Sequence, residues 1–223
     1  MRLICALISL FAVAGQPQTL PPPFPRTNAV KMLDNDRVQV WSVSWPKRQP
    51  TPLHRHIYDI TGTYIAPGDR LITDADGSKR PVTNAAGGIV WQFKGLTHIE
   101  EGTSDSPLRA VMIELKGDGP SGKVDKTDGV AAFTGNAKPL LDNTRVTVWE
   151  AGSSSGSDFG LDARRSLTPA LRSLTPVRHR HQRDTVVIWT EQGAGHVAFM
   201  PAGTVHTDEP IGVATKATIF ELK

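Results

Sequence analysis

The sequence predicts an all-β fold of two tandem sandwiches or barrels related by internal duplication. Long blocks of the chain recur about 108 residues later, and short runs alternate between apolar and polar residues, as in strands with one buried face. The 20 glycines and 17 prolines among 223 residues favour frequent turns over long helices. The net charge of +3 gives no argument for nucleic acid, and no apolar run is long enough for a membrane span in the mature chain.

The internal repeat consists of matching blocks at both ends of each copy. Residues 32–41 and 140–149 share the pattern Leu-Asp-Asn-x-Arg-Val-x-Val-Trp, and both copies close on Glu-Leu-Lys, at residues 114–116 and 221–223. A His-Arg-His triplet and a later histidine lie between these blocks in each copy. We therefore expect the same structural unit to occur twice.

The domain boundaries follow from the repeat and from changes in composition. Alternating runs such as residues 38–43 and 217–222 predict strands, whereas residues 117–135 are rich in Gly, Asp, Lys and Ser, as expected of a linker. The predicted organisation is a signal peptide at 1–14, a Pro-rich segment at 15–29, a first barrel at 30–116, a linker at 117–137 and a second barrel at 138–223.

The N-terminus has the pattern of a secretory signal peptide. Arg2 precedes a 12-residue apolar stretch at 3–14, which ends in Ala-Val-Ala and is too short to span a bilayer. The alternative is a buried first strand or helix. Cleavage would remove Cys5, the only cysteine, so a metal in the mature protein would need nitrogen and oxygen ligands. We expect an exported protein, periplasmic or extracellular.

The histidines carry the predicted chemistry. Residues i and i+2 of a strand face the same way, so His54 and His56 would present two imidazoles on one face, with Arg55 on the other. A third imidazole from a distant strand could complete a facial set of three nitrogen ligands, which leaves positions open for water or substrate. The two expected sets are His54, His56 and His98 in copy one, and His179, His181 and His206 in copy two. The alternative for residues 178–183 is an exposed basic strand that binds phosphates or nothing.

This arrangement resembles the cupin superfamily, whose second motif has the form G-x5-P-x-G-x2-H. Copy two matches that spacing at Gly195, Pro201, Gly203 and His206. Copy one matches it except for the proline, at Gly87, Phe93, Gly95 and His98. The resemblance covers about residues 30–116 and 138–223 and implies two cupin-type jelly-roll β-barrels, a bicupin. It also implies that each histidine set binds a divalent transition metal (Fe, Mn, Zn, Cu or Ni), that a small molecule enters the barrels, and that barrels pair, as in a homo-oligomer.

The carboxylates depart from the family pattern. The glutamate expected four or five residues after the second histidine is absent from both copies, whereas Asp59 and Asp184 lie three residues after it. A bulge could turn these aspartates toward a metal, and a turn-forming or capping role is an equal alternative. Glu100 and Asp208 follow the third histidine by two residues, the right parity to orient it. Each of the four is a candidate general base.

The sequence leaves the function open between three classes. The first is a metal-dependent oxygenase-like enzyme, an oxidoreductase that acts on a small organic substrate through its three-His metal sites. The second is a non-catalytic protein that binds a small ligand or a metal outside the cytoplasm. The third is a structural pair of barrels with residual metal sites. Fold resemblance alone does not choose between them, since one fold hosts many functions.

Overall fold

The computed structural model describes residues 19–117, 139–152, 177–180, 183–189, 195–202, 204–208 and 216–223. The predicted signal peptide, nearly all of the predicted linker and His181 lie outside these described residues. Every regular element in the described ranges is a β-strand, which agrees with the predicted all-β class. Within the same ranges, no helix is long and apolar enough to cross a membrane.

Residues 19–117, the first half, contain nine strands that pair antiparallel in two sheets. The strands are β1 (Ala29–Asp34), β2 (Val38–Trp45), β3 (His54–Arg55), β4 (Asp59–Ala66), β5 (Gly68–Asp74), β6 (Lys79–Asn84), β7 (Ile89–Gln92), β8 (Thr97–Gly102) and β9 (Leu108–Leu115). The first sheet has the order β1-β2-β9-β4-β7, and the second has the order β3-β8-β5-β6.

The central strand of the first sheet, β9, is buried on both faces, with Arg109 as its one exposed residue. One face of this sheet contributes to a first core, which lies within the first half. This first core comprises Phe24, Trp41, Val43, Trp45, Ile60, Tyr64, Val90, Leu108, Ala110 and Met112. Its aromatic side chains bury a large apolar area, so the sheet is a rigid support for the residues that face it.

The second half contains seven described strands. They are β10 (Leu141–Asp142), β11 (Val146–Gly152), β12 (Val177–Arg180), β13 (Thr185–Trp189), β14 (His196–Met200), β15 (Val205–Asp208) and β16 (Lys216–Leu222). They form a sheet of order β10-β11-β16-β13-β14 and a pair, β12-β15. Strand β16 lies between β11 and β13, as β9 lies between β2 and β4. Among the described residues of both halves no closed barrel is found, because the strands form separate sheets with free edges.

The two halves pack against each other through a second core. Its members alternate with those of the first core along β2 and β9, so these strands contribute to both. The second core comprises Val38, Val40, Val111, Ile113, Leu115, Val146, Val148, Val186, Ile188, Phe220 and Leu222. The halves therefore share one apolar interface.

Candidate metal centre

Strand pairing brings the first histidine set together. His54 on β3 lies directly opposite His98 on β8. The pairing continues beyond β3, because the His56 backbone N–H donates to the Leu96 carbonyl (2.9 Å) and the Gly95 N–H donates to the His56 carbonyl (2.8 Å). His54 and His56 are buried while Arg55 is exposed, as the strand alternation predicts.

The three imidazoles form a compact, buried group. One ring nitrogen of each of His54, His56 and His98 lies within 4.8 Å of the others, and the ring centroids are 4.8 to 5.5 Å apart. The residues are only 3%, 3% and 1% exposed. His54 Nε2, His56 Nδ1 and both ring nitrogens of His98 are buried without a hydrogen-bond partner. Leaving such nitrogens unsatisfied is costly, and a metal ion bound by one nitrogen of each histidine would satisfy three of the four.

The protonation states also suit metal binding. Burial is the main cause that lowers the pKa of each of the three histidines, and for His56, with the neighbouring His98 and His54 adding to it, the pKa falls to about 3. The imidazoles are therefore neutral at pH 7, the form that binds metals. His54 Nδ1 lies 3.0 Å from the Pro52 carbonyl oxygen, so Nδ1 carries the proton and Nε2 keeps its lone pair.

Glu100 is a buried carboxylate beside the histidine group. Its Oε1 lies 3.9 Å from His98 Nε2 and accepts a hydrogen bond from Arg70, while Oε2 accepts one from Trp45 Nε1 at 2.9 Å. Burial alone would raise the pKa of Glu100, but Arg70, then His98 and Arg26, outweigh it and lower the pKa to about 2. Glu100 is therefore ionised. Glu100 thus lies near His98, and its role in orienting that imidazole or as a general base stays a prediction.

Arg70 on β5 is the partner of Glu100 that the sequence analysis missed. Its other contacts are to Tyr64 Oη at 2.5 Å and to Asn84 Oδ1 at 3.3 Å, and the residue is 4% exposed. Arg70 shares the buried face of β5 with Ile72. The sequence analysis predicts no strand here, but the two-residue spacing of Arg70 and Ile72 is a signal that could have identified a buried charge in need of a partner.

The segment before β1 also reaches the site. The Pro21 carbonyl accepts a hydrogen bond from the Arg55 N–H at 2.9 Å, and Phe24 stacks on Trp41 with ring centroids 5.0 Å apart. Arg26 lies over Trp45, with its guanidinium carbon 5.3 Å from the ring centroid. Part of the predicted Pro-rich segment thus packs against the first core beside the histidine group.

The repeated aspartates, Asp59 and Asp184, lie at contacts between the two halves. Asp59 Oδ1 accepts a hydrogen bond from the Lys94 backbone N–H at 2.8 Å, and Oδ2 lies 3.5 Å from Arg145 Nε in the second half. Its counterpart Asp184 accepts one from the Ala202 N–H at 2.9 Å and lies 3.3 Å from Arg37 NH1 in the first half. We call these two Arg–Asp pairs between halves the cross-clamp. The three-residue histidine group in the first half includes no carboxylate.

The second histidine set is described only by its backbone. His179 on β12 lies opposite His206 on β15, the same pairing that joins His54 to His98. Asp208 lies opposite Val177 in this strand pair. His181 lies outside the described residues. The second metal site stays a prediction.

Known proteins that resemble this chain are found among solved structures. No protein-family model and no curated protein matches the sequence. AerE from Microcystis aeruginosa is a similar solved structure, 9% identical over 92% of this chain and 99% of that protein, with a TM-score of 0.56. A cupin 2 conserved barrel domain protein from Leptotrichia buccalis is 12% identical, covers 87% of this chain and 88% of its own length, and has a TM-score of 0.49. A cupin domain from Bordetella pertussis Tohama I is 26% identical over 42% of this chain and 99% of its own length, with a TM-score of 0.37.

These likenesses bear on the fold alone. The likeness to AerE extends over most of both chains and shows a shared fold. The chain is thus an all-β protein that shares its fold with AerE.

Proposed function

We propose that this chain is an exported, metal-binding protein of cupin type whose first metal site is formed by His54, His56 and His98. One observation carries the proposal: three buried, neutral imidazoles with unpartnered nitrogens within 4.8 Å of one another. An all-nitrogen set fits Fe, Mn, Zn, Cu or Ni. When bound, such a metal supplies Lewis acidity and open coordination positions.

The surrounding residues support a site that is preorganised. The Pro52 carbonyl fixes the tautomer of His54, and the Thr51 hydroxyl accepts the Glu100 backbone N–H at 2.9 Å, which ties the strand after His98 to the segment before His54. Glu100, held by Arg70 and Trp45, places a negative charge near His98. This charge would favour a bound cation and orient the imidazole.

The activity we propose is that of a metal-dependent oxygenase-like enzyme that acts on a small organic molecule. Three protein ligands leave room on a metal for a substrate and for O2. Glu100 is the carboxylate closest to a predicted ligand among those described, but both of its oxygens are engaged, so it would stabilise charge rather than move a proton. The alternative is a non-catalytic protein that binds a small ligand or a metal.

We also propose that the chain is a duplicated protein with a second metal site. The support is the repeated sequence blocks and the matching backbone pairing of His179 with His206. Export rests on the signal-peptide pattern of residues 1–14, and N-terminal sequencing of secreted protein would test it, with a first residue of Gly15 as the expected result.

Metal content is the decisive measurement. We expect the untagged wild-type protein to bind up to two equivalents of transition metal, and the variant His98→Ala to lose about one of them, because a facial three-His site loses a ligand. His196→Ala is the matched control, since this exposed histidine lies outside both predicted sets. Circular dichroism must show that His98→Ala is folded; His98→Gln is the substitute if it is not.

Two results would contradict the proposal. Wild-type protein that binds no metal after reconstitution would exclude the metal site, and full metal content in His98→Ala would exclude this residue as a ligand. The identity of the metal then selects the activity assay. O2 uptake by the iron or copper form in the presence of candidate organic substrates supports the oxygenase, and its absence over a broad substrate panel favours the binding protein.

A further inference from the structure

Arg26 is a cation near the histidine group that forms no direct ion pair among the described residues. Its NH1 donates to the Thr27 carbonyl at 2.9 Å, whereas NH2 is buried and has no hydrogen-bond partner. The guanidinium lies over the rings of Trp45 and Phe24, 5.3 and 5.8 Å from their centroids. Trp45 donates a hydrogen bond to Glu100 Oε2 at 2.9 Å, and Glu100 Oε1 lies 3.9 Å from His98 Nε2, so the contact with Trp45 places Arg26 near the histidine group.

Arg26 shares one buried carboxylate with a second arginine. Glu100 pairs with Arg70 through Oε1 and accepts a hydrogen bond from Trp45 at Oε2, so it makes no direct hydrogen bond to Arg26. Its charge acts on both guanidinium groups, which together carry one positive charge more than Glu100 supplies. The three imidazoles are neutral at pH 7, and a divalent metal would add two further charges. An excess positive charge with a buried, unsatisfied N–H is costly, and a negatively charged ligand lowers that cost.

We propose that Arg26 binds a carboxylate group of the small organic ligand at the metal centre. The inference rests on the proposed metal site and deepens it by naming the ligand class, an organic acid. A guanidinium matches a carboxylate in geometry, and the free NH2 of Arg26 supplies a donor that nothing else in the described chain uses. The one excess positive charge of Arg26, Arg70 and Glu100 also matches the single negative charge of a carboxylate.

Malonate and its monoamide, malonamate, are the probes for this role. They have similar shapes, but malonate has one more carboxylate. The metal-loaded full-length protein is titrated with each by calorimetry, after its metal content has been measured. We expect wild type to bind malonate about tenfold more tightly or better, because a charged Arg–carboxylate hydrogen bond is roughly twice as strong as a neutral one. Arg26→Gln should lose this preference with malonamate binding unchanged.

Arg55→Gln is the matched control. Arg55 follows His54 directly but is exposed on the opposite face of the strand, so its removal changes the same net charge without touching the ligand site. We expect this variant to keep the wild-type preference for malonate. Arg26→Lys retains the charge but not the planar fork, and we expect a preference between those of wild type and Arg26→Gln.

The outcomes separate this inference from the proposed function. Wild type without metal overturns both. Metal-loaded wild type that binds both probes equally, or an Arg26→Gln variant that keeps the preference, overturns the role of Arg26 and leaves the metal site intact. An equal loss in Arg55→Gln also overturns it, since general electrostatics would then explain the effect. If Arg26→Gln does not fold, an unchanged preference in Arg26→Lys overturns the specific contact.

Discussion

Replacement of Glu114 by glutamine should change how the stability of the protein depends on pH. Glu114 on β9 is 2% exposed; its Oε2 accepts a hydrogen bond from Trp41 Nε1 at 2.9 Å, and its Oε1 is buried without a partner. Burial raises the pKa of Glu114 from its ordinary 4.5 to about 7, although the Trp41 hydrogen bond acts in the opposite direction. The folded protein therefore keeps this proton over a pH range in which the unfolded chain has lost it.

The sign and magnitude follow from proton linkage. Between pH 4.5 and about 7 the unfolded state binds fewer protons at Glu114 than the folded state, so a rise in pH lowers the free energy of unfolding. The interval between the pKa of Glu114 in the unfolded and in the folded state corresponds to a decrease of about 3 kcal/mol in the free energy of unfolding. Glu114→Gln keeps an acceptor for Trp41 but does not ionise, so this variant should not show the loss.

The assay is urea unfolding of the wild type and of Glu114→Gln between pH 4.5 and 8.5, monitored by circular dichroism. We expect similar stabilities at pH 4.5 and a variant that is more stable by about 3 kcal/mol at pH 8. Subtracting the two curves cancels every other titrating group. Glu101→Gln on the neighbouring sheet is the control, since this half-buried side chain lies outside the first core. A difference between Glu114→Gln and wild type that does not vary with pH would refute the reasoning.

Two further substitutions test packing and charge in the first half, each by urea unfolding. Arg70→Met removes the cation paired with the buried charge of Glu100, so it should lower the free energy of unfolding by about 3–5 kcal/mol. The double variant Arg70→Met/Glu100→Gln should recover part of that loss. If it recovers none, the unpaired charge is not the cause. Gly62→Ala would place a Cβ 2.2 Å from the Val111 carbonyl oxygen in the first sheet and should cost about 3 kcal/mol or prevent folding. Gly77→Ala, where a Cβ meets nothing within 4 Å, should cost only about 1 kcal/mol for its positive φ, and equal losses would contradict the steric argument.

Part of the histidine group of the first half is predictable from local spacing. Alternation along one strand orients His54 and His56, and the same two-residue parity places Glu100 on the face of His98. The approach of His98 to His54 is not local, because it depends on the pairing of β3 with β8. In the sequence, only the repeated motif around Gly95 and its resemblance to the cupin motif indicate that approach.

The residues that the sequence analysis missed depend on contacts between distant segments. Arg26 belongs to the Pro-rich segment at 15–29, for which the sequence predicts no role, and its packing on Trp45 brings it near the site. The role of Asp59 likewise depends on Arg145, far away in sequence, and on the shared apolar interface. Periodicity describes which face a side chain occupies but not which distant element covers that face.

The cross-clamp makes each half of the chain a structural part of the other's histidine region. Arg145 also donates to the carbonyl oxygens of Leu115 and Gly117, at 2.9 and 3.0 Å, so it holds the end of β9 as well as Asp59 at the start of β4. Asp59 in turn binds the Lys94 N–H, just before the turn that leads to His98. Loss of Arg145 would therefore disturb the segment before His98 in the other half, so the two halves are not structurally independent.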